Sequence, residues 1–215
     1  EKIVNTGVVY GQNNAIGIHS NGAIGDVNNY GIFATDGDKI ISNDGNMTGT
    51  ENNYGMYITE KDGKITVDKN KLNDKPIEVV VGYDKDGNGI TKSMTIRNAE
   101  LNEDKTETVS FEFKGEVGKY NNSILNGKDK TLNVLEGKNQ ITDSIINAYQ
   151  TAVVMEGKKS SLVLNNTVVN GGLLGNDPTI SITGSQNILT IQGNSVVNGE
   201  MKSTGENNTL SLNGN

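Results

Sequence analysis

Cysteine and tryptophan are absent from this chain, and proline, histidine and arginine number two, one and one. Without cysteine there is no disulfide framework and no thiolate for catalysis or metal binding. Any mechanism that needs an imidazole must use His19, and the adjacent Ser20 is a sequence neighbour, which is not the geometry of a Ser-His-Asp triad. A single arginine, Arg97, and a formal charge of −7 leave no basic cluster to meet phosphates, which argues against nucleic acid and anionic membrane surfaces as partners. No apolar run approaches the ~18 residues of a membrane-spanning helix, and no charged-then-apolar leader opens the chain. Repeat-like text at Ile3 and at Leu212-Asn213-Gly214-Asn215 predicts a piece of a longer protein.

Asparagine and glycine fill the space left by the missing residues, with 32 Asn and 27 Gly in 215 positions. Both tolerate left-handed backbone and punctuate turns, and an Asn amide can also bond to a stacked copy of itself. The hydrophobic share of 33% is drawn chiefly from Val, Ile and Leu, which suits a slender β core. Asn-rich chains are often disordered, but disorder would not require the apolar residues to recur in register.

They do recur. Glycine precedes leucine by five residues at Gly127/Leu132, Gly157/Leu162, Gly184/Leu189 and Gly205/Leu210, and Val134, Leu164, Ile191 or Leu212 follows two residues later. Apolar pairs at spacing two form one face of a strand. Val168-Val169-Asn170-Gly171 and Val196-Val197-Asn198-Gly199 supply a second strand and turn in two copies. Units this short cannot bury enough apolar surface alone, so they predict a stacked solenoid with the four leucines in one column. The tripeptides Gly17-Ile18-His19, Gly31-Ile32-Phe33 and Gly55-Met56-Tyr57 predict more rungs, with His19 at the packing or surface position held by Phe33 and Tyr57.

The segment between breaks this pattern, so the chain divides into rungs at 1–57, a β insertion or elongated rungs at 58–117, and rungs at 118–215. Within 58–117, Asp62-Gly63 joins Ile58-Thr59 to Ile65-Val67, and a longer loop joins Ile77-Tyr83 to Ile90-Ile96, predicting two hairpins. Thr108 to Lys114 alternates Val109, Phe111 and Phe113 with polar residues, as in an antiparallel sheet wet on one side. Asp84-Lys85-Asp86-Gly87-Asn88-Gly89 looks like half a calcium loop, but Thr95 stands where the bidentate glutamate belongs and the flanks are strands. A polar hairpin turn is the better account, and no metal or cofactor is expected. A polysaccharide-cleaving β-helix would need paired carboxylates in a groove. The acids here are scattered among turns, so the chain is expected not to be an enzyme. Excursions from a rigid scaffold are where binding sits, which makes Tyr83, Asp84, Lys85, Asp86 and Asn88 the candidate contact residues.

The Asn-Asn-Tyr-Gly-Ile/Met phrases at Asn28 to Ile32 and Asn52 to Met56, with the two Val-Val-Asn-Gly phrases, resemble passenger regions of large type V autotransporter adhesins of fusobacteria and similar Gram-negative anaerobes. The resemblance covers about two thirds of the chain and specifies architecture better than function. It implies a right-handed parallel β-helix (solenoid), which with the hairpins read in 58–117 gives an all-β fold with a β-hairpin-rich insertion. It also implies export through an outer-membrane barrel outside these residues, cell-surface display, and binding to host-cell or bacterial surface proteins or glycans. The alternative is a structural spacer whose binding site lies elsewhere.

Overall fold

The chain forms two parallel β stacks that lie side by side and run in opposite directions. The computed structural model describes residues 2–18, 23–68, 70, 72–100, 110–173 and 175–214. Parallel ladders are three strands deep in the first stack and five deep in the second, about eight turns in all. There is no helix among the described residues.

In the second stack three walls enclose the core. One carries Ser123–Gly127, Ile145–Ala148, Val168–Asn170 and Val196–Asn198; the next carries Phe111–Phe113, Lys130–Val134, Thr151–Met155, Ile180–Ile182 and Met201–Ser203. The third carries Val117–Asn121, Lys138–Thr142, Ser161–Asn165, Ile188–Gly193 and Thr209–Gly214. Tyr120, Ile141, Leu164, Ile191 and Leu212 stack in one file of the third wall, at spacings of 21, 23, 27 and 21 residues. Leu162, Leu189 and Leu210 share the neighbouring file, as their spacing predicts. Leu132 does not join them. It lies in the second wall in file with Val153 and Ile180, and the third-wall position one turn before Leu162 belongs to Asn139. The glycine column likewise begins after Gly127, which pairs with Ala148 in the first wall. A methyl group on Gly184 or Gly205 would overlap the carbonyl oxygen of Gly157 or Gly184 respectively, so glycine there permits successive turns to nest.

In the first stack the repeat is 24 residues: Ile3, Val27 and Glu51 align, and so do Val8, Ile32 and Met56. The first copy of the Gly31-Ile32-Phe33 phrase is therefore Gly7-Val8-Val9. Gly17-Ile18-His19 belongs to a different file, since Ile16–Ile18 pairs with Ile41–Asn43, and Val9 occupies the place expected of His19. His19 itself lies outside the described residues.

Both hairpins are present, and each closes a sheet edge. Lys64–Asp68 pairs antiparallel with Met56–Lys61 through a turn at Asp62 (φ 52°) and Gly63 (φ 75°), the left-handed pair that a two-residue connection needs. Lys75–Tyr83 pairs antiparallel with Gly89–Asn98, whose end, Thr95 to Asn98, lies parallel on Ser123 to Asn126 as the opening strand of the first wall. Phe111–Phe113 corrects another expectation: it pairs parallel with Leu132 to Val134 and is a rung, not part of an antiparallel appendage. Thr108 and Val109 lie outside the described residues. Phe111 and Phe113 pack against Tyr120, with Arg97 over its ring at 5.5 Å, and this group plugs the end of the core at the turn-around.

What joins the stacks is amide chemistry. Asn70, Asn98, Asn126, Asn147, Asn170 and Asn198 form a continuous ladder in which each Nδ2 donates to the preceding Oδ1 at 2.7–2.9 Å. The other Nδ2 proton crosses the seam: Asn126 donates to the Tyr54 carbonyl, Asn147 to that of Tyr30 and Asn170 to that of Thr6. As the second stack advances its partners step backward along the first, so the stacks are antiparallel. The shared wall is apolar on both faces, with Leu125, Ile146 and Val169 in the second stack's core and Ile124, Ile145 and Val168 against Tyr30 and Tyr54. Those two rings stack at 5.4 Å, 8° from parallel.

Asn147 is fully buried and bonded along the ladder and across the seam. Asn147→Leu leaves Asn126 Oδ1, the Tyr30 carbonyl and Asn170 Nδ2 without that partner. It is expected to lower unfolding free energy by about 3 kcal/mol in urea titration, whereas Asn213→Ala, at an exposed position, changes it by less than about 0.5 kcal/mol.

Candidate functional site

The hairpin of residues 75–98 is anchored at its base and lies as a strap across the seam. On one side Lys92 Nζ meets Asp143 of the second stack at 3.2 Å. On the other the Val80 amide donates to the Tyr30 hydroxyl of the first stack at 3.3 Å. Between them Val79 and Met94, both buried, press on Ile145 and Tyr30. The strands alternate here for a physical reason: Val79 and Met94 lie on the face turned to the stacks, while Glu78 and Ser93 between them point to water.

Beyond this contact the strap overhangs. Its underside, with Val79, Val81, Lys92 and Met94, faces Thr6, Ile145 and Val168 across a cleft of about 450 Å³. The cleft's flank is built by a column of turns whose corner residues Asn122, Asp143, Asn166 and Gly193 have φ of 45°, 51°, 48° and 64°. Only glycine and short polar side chains enter that left-handed conformation readily, which is why Asn and Asp accumulate there. Asn166 Oδ1 holds the Asn194 amide at 3.0 Å, and both line the cleft. An apolar floor and roof beside amides and an ion pair can take the apolar face of a ligand while bonding its polar edge.

The residues singled out in the sequence, Tyr83, Asp84, Lys85, Asp86 and Asn88, all lie at the exposed tip of this strap. The tip is a self-bonded turn. Asp84 Oδ1 accepts from the Asp86 and Asn88 amides at 2.9 and 2.8 Å, and Asp84 Oδ2 accepts from Asn88 Nδ2 at 3.0 Å. The Asn88 side chain, with those amides, holds the Asp84 carboxyl below the usual aspartate range. Both carboxylate oxygens already have donors, and among the described residues no three His, Cys, Asp or Glu side chains converge to hold a metal. Val81, Tyr83 and Ile90 remain 53%, 45% and 51% exposed, and the register, with Gly82 opposite Ile90 and Tyr83 opposite Gly89, sets Tyr83 and Ile90 on opposite faces of the overhang.

Sequence reading located the tip and missed the cleft. The missed signal is a pentapeptide: Asn122-Ser123-Ile124-Leu125-Asn126 recurs as Asp143-Ser144-Ile145-Ile146-Asn147, Asn166-Thr167-Val168-Val169-Asn170 and Asn194-Ser195-Val196-Val197-Asn198. Its hydroxyls link turns, as where Ser123 N donates to Ser144 Oγ and Thr167 N to Ser195 Oγ. Its first apolar residue faces the seam in the first three copies, and its last Asn joins the ladder.

Two outcomes follow from this geometry. Met94→Ala removes the strap's main buried contact, a change of about 2 to 5 kcal/mol at such sites. Amide exchange across residues 77–94 should quicken at least tenfold while that of Ile146 and Leu164 holds. Asn88→Ala removes the largest cause of the lowered Asp84 pKa, so its NMR titration midpoint should rise toward the ordinary aspartate value. Because the folded pKa is depressed, the turn's carboxylate bonds are present above the ordinary aspartate range and are lost as pH falls through the lowered value.

Comparison with family models, characterised proteins and solved structures finds no match to this chain.

Proposed function

We propose that this chain is a surface-exposed adhesive segment, a rigid double solenoid that presents the strap and its cleft to protein or glycan receptors on host cells or other bacteria. The observation that carries the reading is the overhang: Val81, Tyr83 and Ile90 are held in water on an element whose base is tied down on both sides. Apolar side chains kept exposed on a rigid support mark interaction surfaces, because the support removes the ordering cost that a mobile loop would bring to binding. The polar tip at Asp84, Lys85, Asp86 and Asn88 gives such a surface a hydrogen-bonding rim.

The same reading places the chain on a Gram-negative cell surface, within an autotransporter passenger held by a barrel outside these residues. Support for it comes from the Asn-Asn-Tyr-Gly phrases, whose three parts have separate uses here. Asn29 and Asn53 stack as a ladder at 2.9 Å, Tyr30 and Tyr54 stack in the seam, and Gly31 and Gly55 allow the turns to nest. Such an architecture lengthens by repetition without new design, as a displayed rod requires.

The test is attachment. Immobilised chain is exposed to epithelial cells, to bacteria and to a glycan array, beside a variant carrying Val81→Ser, Tyr83→Ser and Ile90→Ser. The triple variant should lose at least tenfold in affinity, corresponding to about 1.4 kcal/mol. Equal binding by both would remove the strap from the mechanism, and no binding by the unaltered chain would leave a spacer.

A further inference from the structure

We propose that the second strand of the strap, Gly89–Asn98, is a docking edge for an extended polypeptide segment, which adds to it as a further strand along residues 89–93. The inference rests on the adhesive reading above and narrows its partner from protein or glycan to a protein that offers such a segment.

The first argument is the direction of the strap's backbone groups. In an antiparallel pair alternate residues turn their amide and carbonyl toward the partner strand, and the others turn them away. Two bonds fix the phase. The Thr95 amide donates to the Asn122 carbonyl on the far side of the second strand, and the Val80 amide donates to the Tyr30 hydroxyl on the outside of the first. Counting back in twos, Ser93, Thr91 and Gly89 face outward with Thr95, and Glu78 and Pro76 face outward with Val80. Ser123–Gly127 covers the second strand's outer edge only from Thr95 onward. Gly89, Thr91 and Ser93 are exposed, and their outward amides and carbonyls find no partner among the described residues.

The second argument is the contrast between the strap's two edges. The outer edge of Lys75–Tyr83 is guarded: Pro76 has no N–H, the Val80 N–H is taken by Tyr30, and Glu78 alone keeps a donor. Proline and lysine on an edge strand are the common obstacles to strand addition. The opposite edge has neither in place. Gly89, Thr91 and Ser93 carry small side chains, and its one lysine, Lys92, is drawn beneath the strap to Asp143 at 3.2 Å. This open edge belongs to a hairpin in the middle of the chain, closed by its own turn and anchored at its base.

The third argument is what such an edge can read. Outward residues recur about every 6.8 Å along a strand, each with one donor and one acceptor, and a second backbone supplies the complement at that repeat whatever its sequence. Specificity then falls to alternate side chains. Those on the face of Ile90 and Lys92 extend the roof of the cleft beside Asp143 and Asn166, and an apolar one there covers Ile90, which is 51% exposed. The partner segment is therefore extended, without proline at the amides that face the strap, and apolar opposite Ile90.

A phage-displayed library of random linear peptides, panned on the immobilised chain, tests this. A synthetic copy of an enriched peptide should lose at least tenfold in affinity when its amides are N-methylated at alternate positions and keep its affinity when the intervening ones are. Thr91→Pro removes an outward N–H that the strap's own ladder does not use, and should weaken the peptide at least tenfold while the Val79 and Lys92 amides keep their exchange protection. Glu78→Pro, on the guarded edge, should leave binding unchanged. If Thr91→Pro loosens the strap, the N-methyl scan decides, since it leaves the chain unaltered. Failure to enrich any peptide, tolerance of N-methylation at every position, or equal effects of Thr91→Pro and Glu78→Pro in an intact strap would each overturn the proposal. Cell attachment that survives Thr91→Pro, or binding to glycans alone, would overturn strand addition and leave the adhesive reading standing; alternating N-methyl sensitivity without attachment to any cell would do the reverse.

Discussion

A primary amide has two protons, and the structure depends on using them in different directions. Along the second stack each ladder Asn gives one proton to the amide of the turn before it, which is where a stacked polar side chain is satisfied without water. The other goes sideways to a carbonyl at the corner of the first stack, at Tyr54, Tyr30 or Thr6. Those corners are the places where a turning backbone leaves a carbonyl unpaired, and a buried carbonyl left so is costly. One residue type therefore holds turn to turn and stack to stack. Aspartate, without donors, could not give a proton in either direction, and glutamine would carry the same amide one methylene further from the backbone.

Sharing a wall explains the unusual composition. A wall buried on both faces needs aliphatic residues at consecutive positions, as in Ile124-Leu125, Ile145-Ile146 and Val168-Val169, where a sheet with one wet face would alternate. Large rings do not fit files spaced by the strand-to-strand distance of about 4.8 Å unless they stack flat. Rings are found stacked at the seam, as Tyr30 on Tyr54, in the first stack's core, as Phe33 on Tyr57, and at the end plug, as Phe111 and Phe113 with Tyr120. Tyr149 is a third tie: buried beside Ile32 and Ile58, it donates its hydroxyl to Glu60 at 3.2 Å, and burial followed by that carboxylate raises its pKa.

The strap takes its rigidity from this frame. Its base continues the shared wall through Thr95 to Asn98, so its position is set by the same ladder, with Asn98 as a rung. The ion pair between Lys92 and Asp143 is partly exposed and contributes at most about 1 kcal/mol. Burial of Val79 and Met94 is the larger restraint. A cleft between a strap and a rigid pair of stacks keeps its shape without a ligand, which lowers the ordering cost of binding there.

What the sequence by itself determined is the local grammar: short strands, the Asp62-Gly63 turn, the second hairpin, and the files shared by Leu162, Leu189 and Leu210 and by Val168-Val169 and Val196-Val197. These follow from period and turn chemistry, which act over a few residues. Leu132 and Gly17-Ile18-His19 were misplaced because turns of 21 to 28 residues repeat with unequal length, so a phrase recognised by its glycine can belong to another wall. The tip residues were legible as a polar loop, whereas the cleft beneath them was not, because its floor comes from Thr6, Ile145 and Val168. Only the tertiary structure decided that the chain turns back on itself and that its two stacks lie flank to flank. That choice rests on amide protons crossing to carbonyls more than 70 residues away, and no pattern within a single repeat records where a second proton goes.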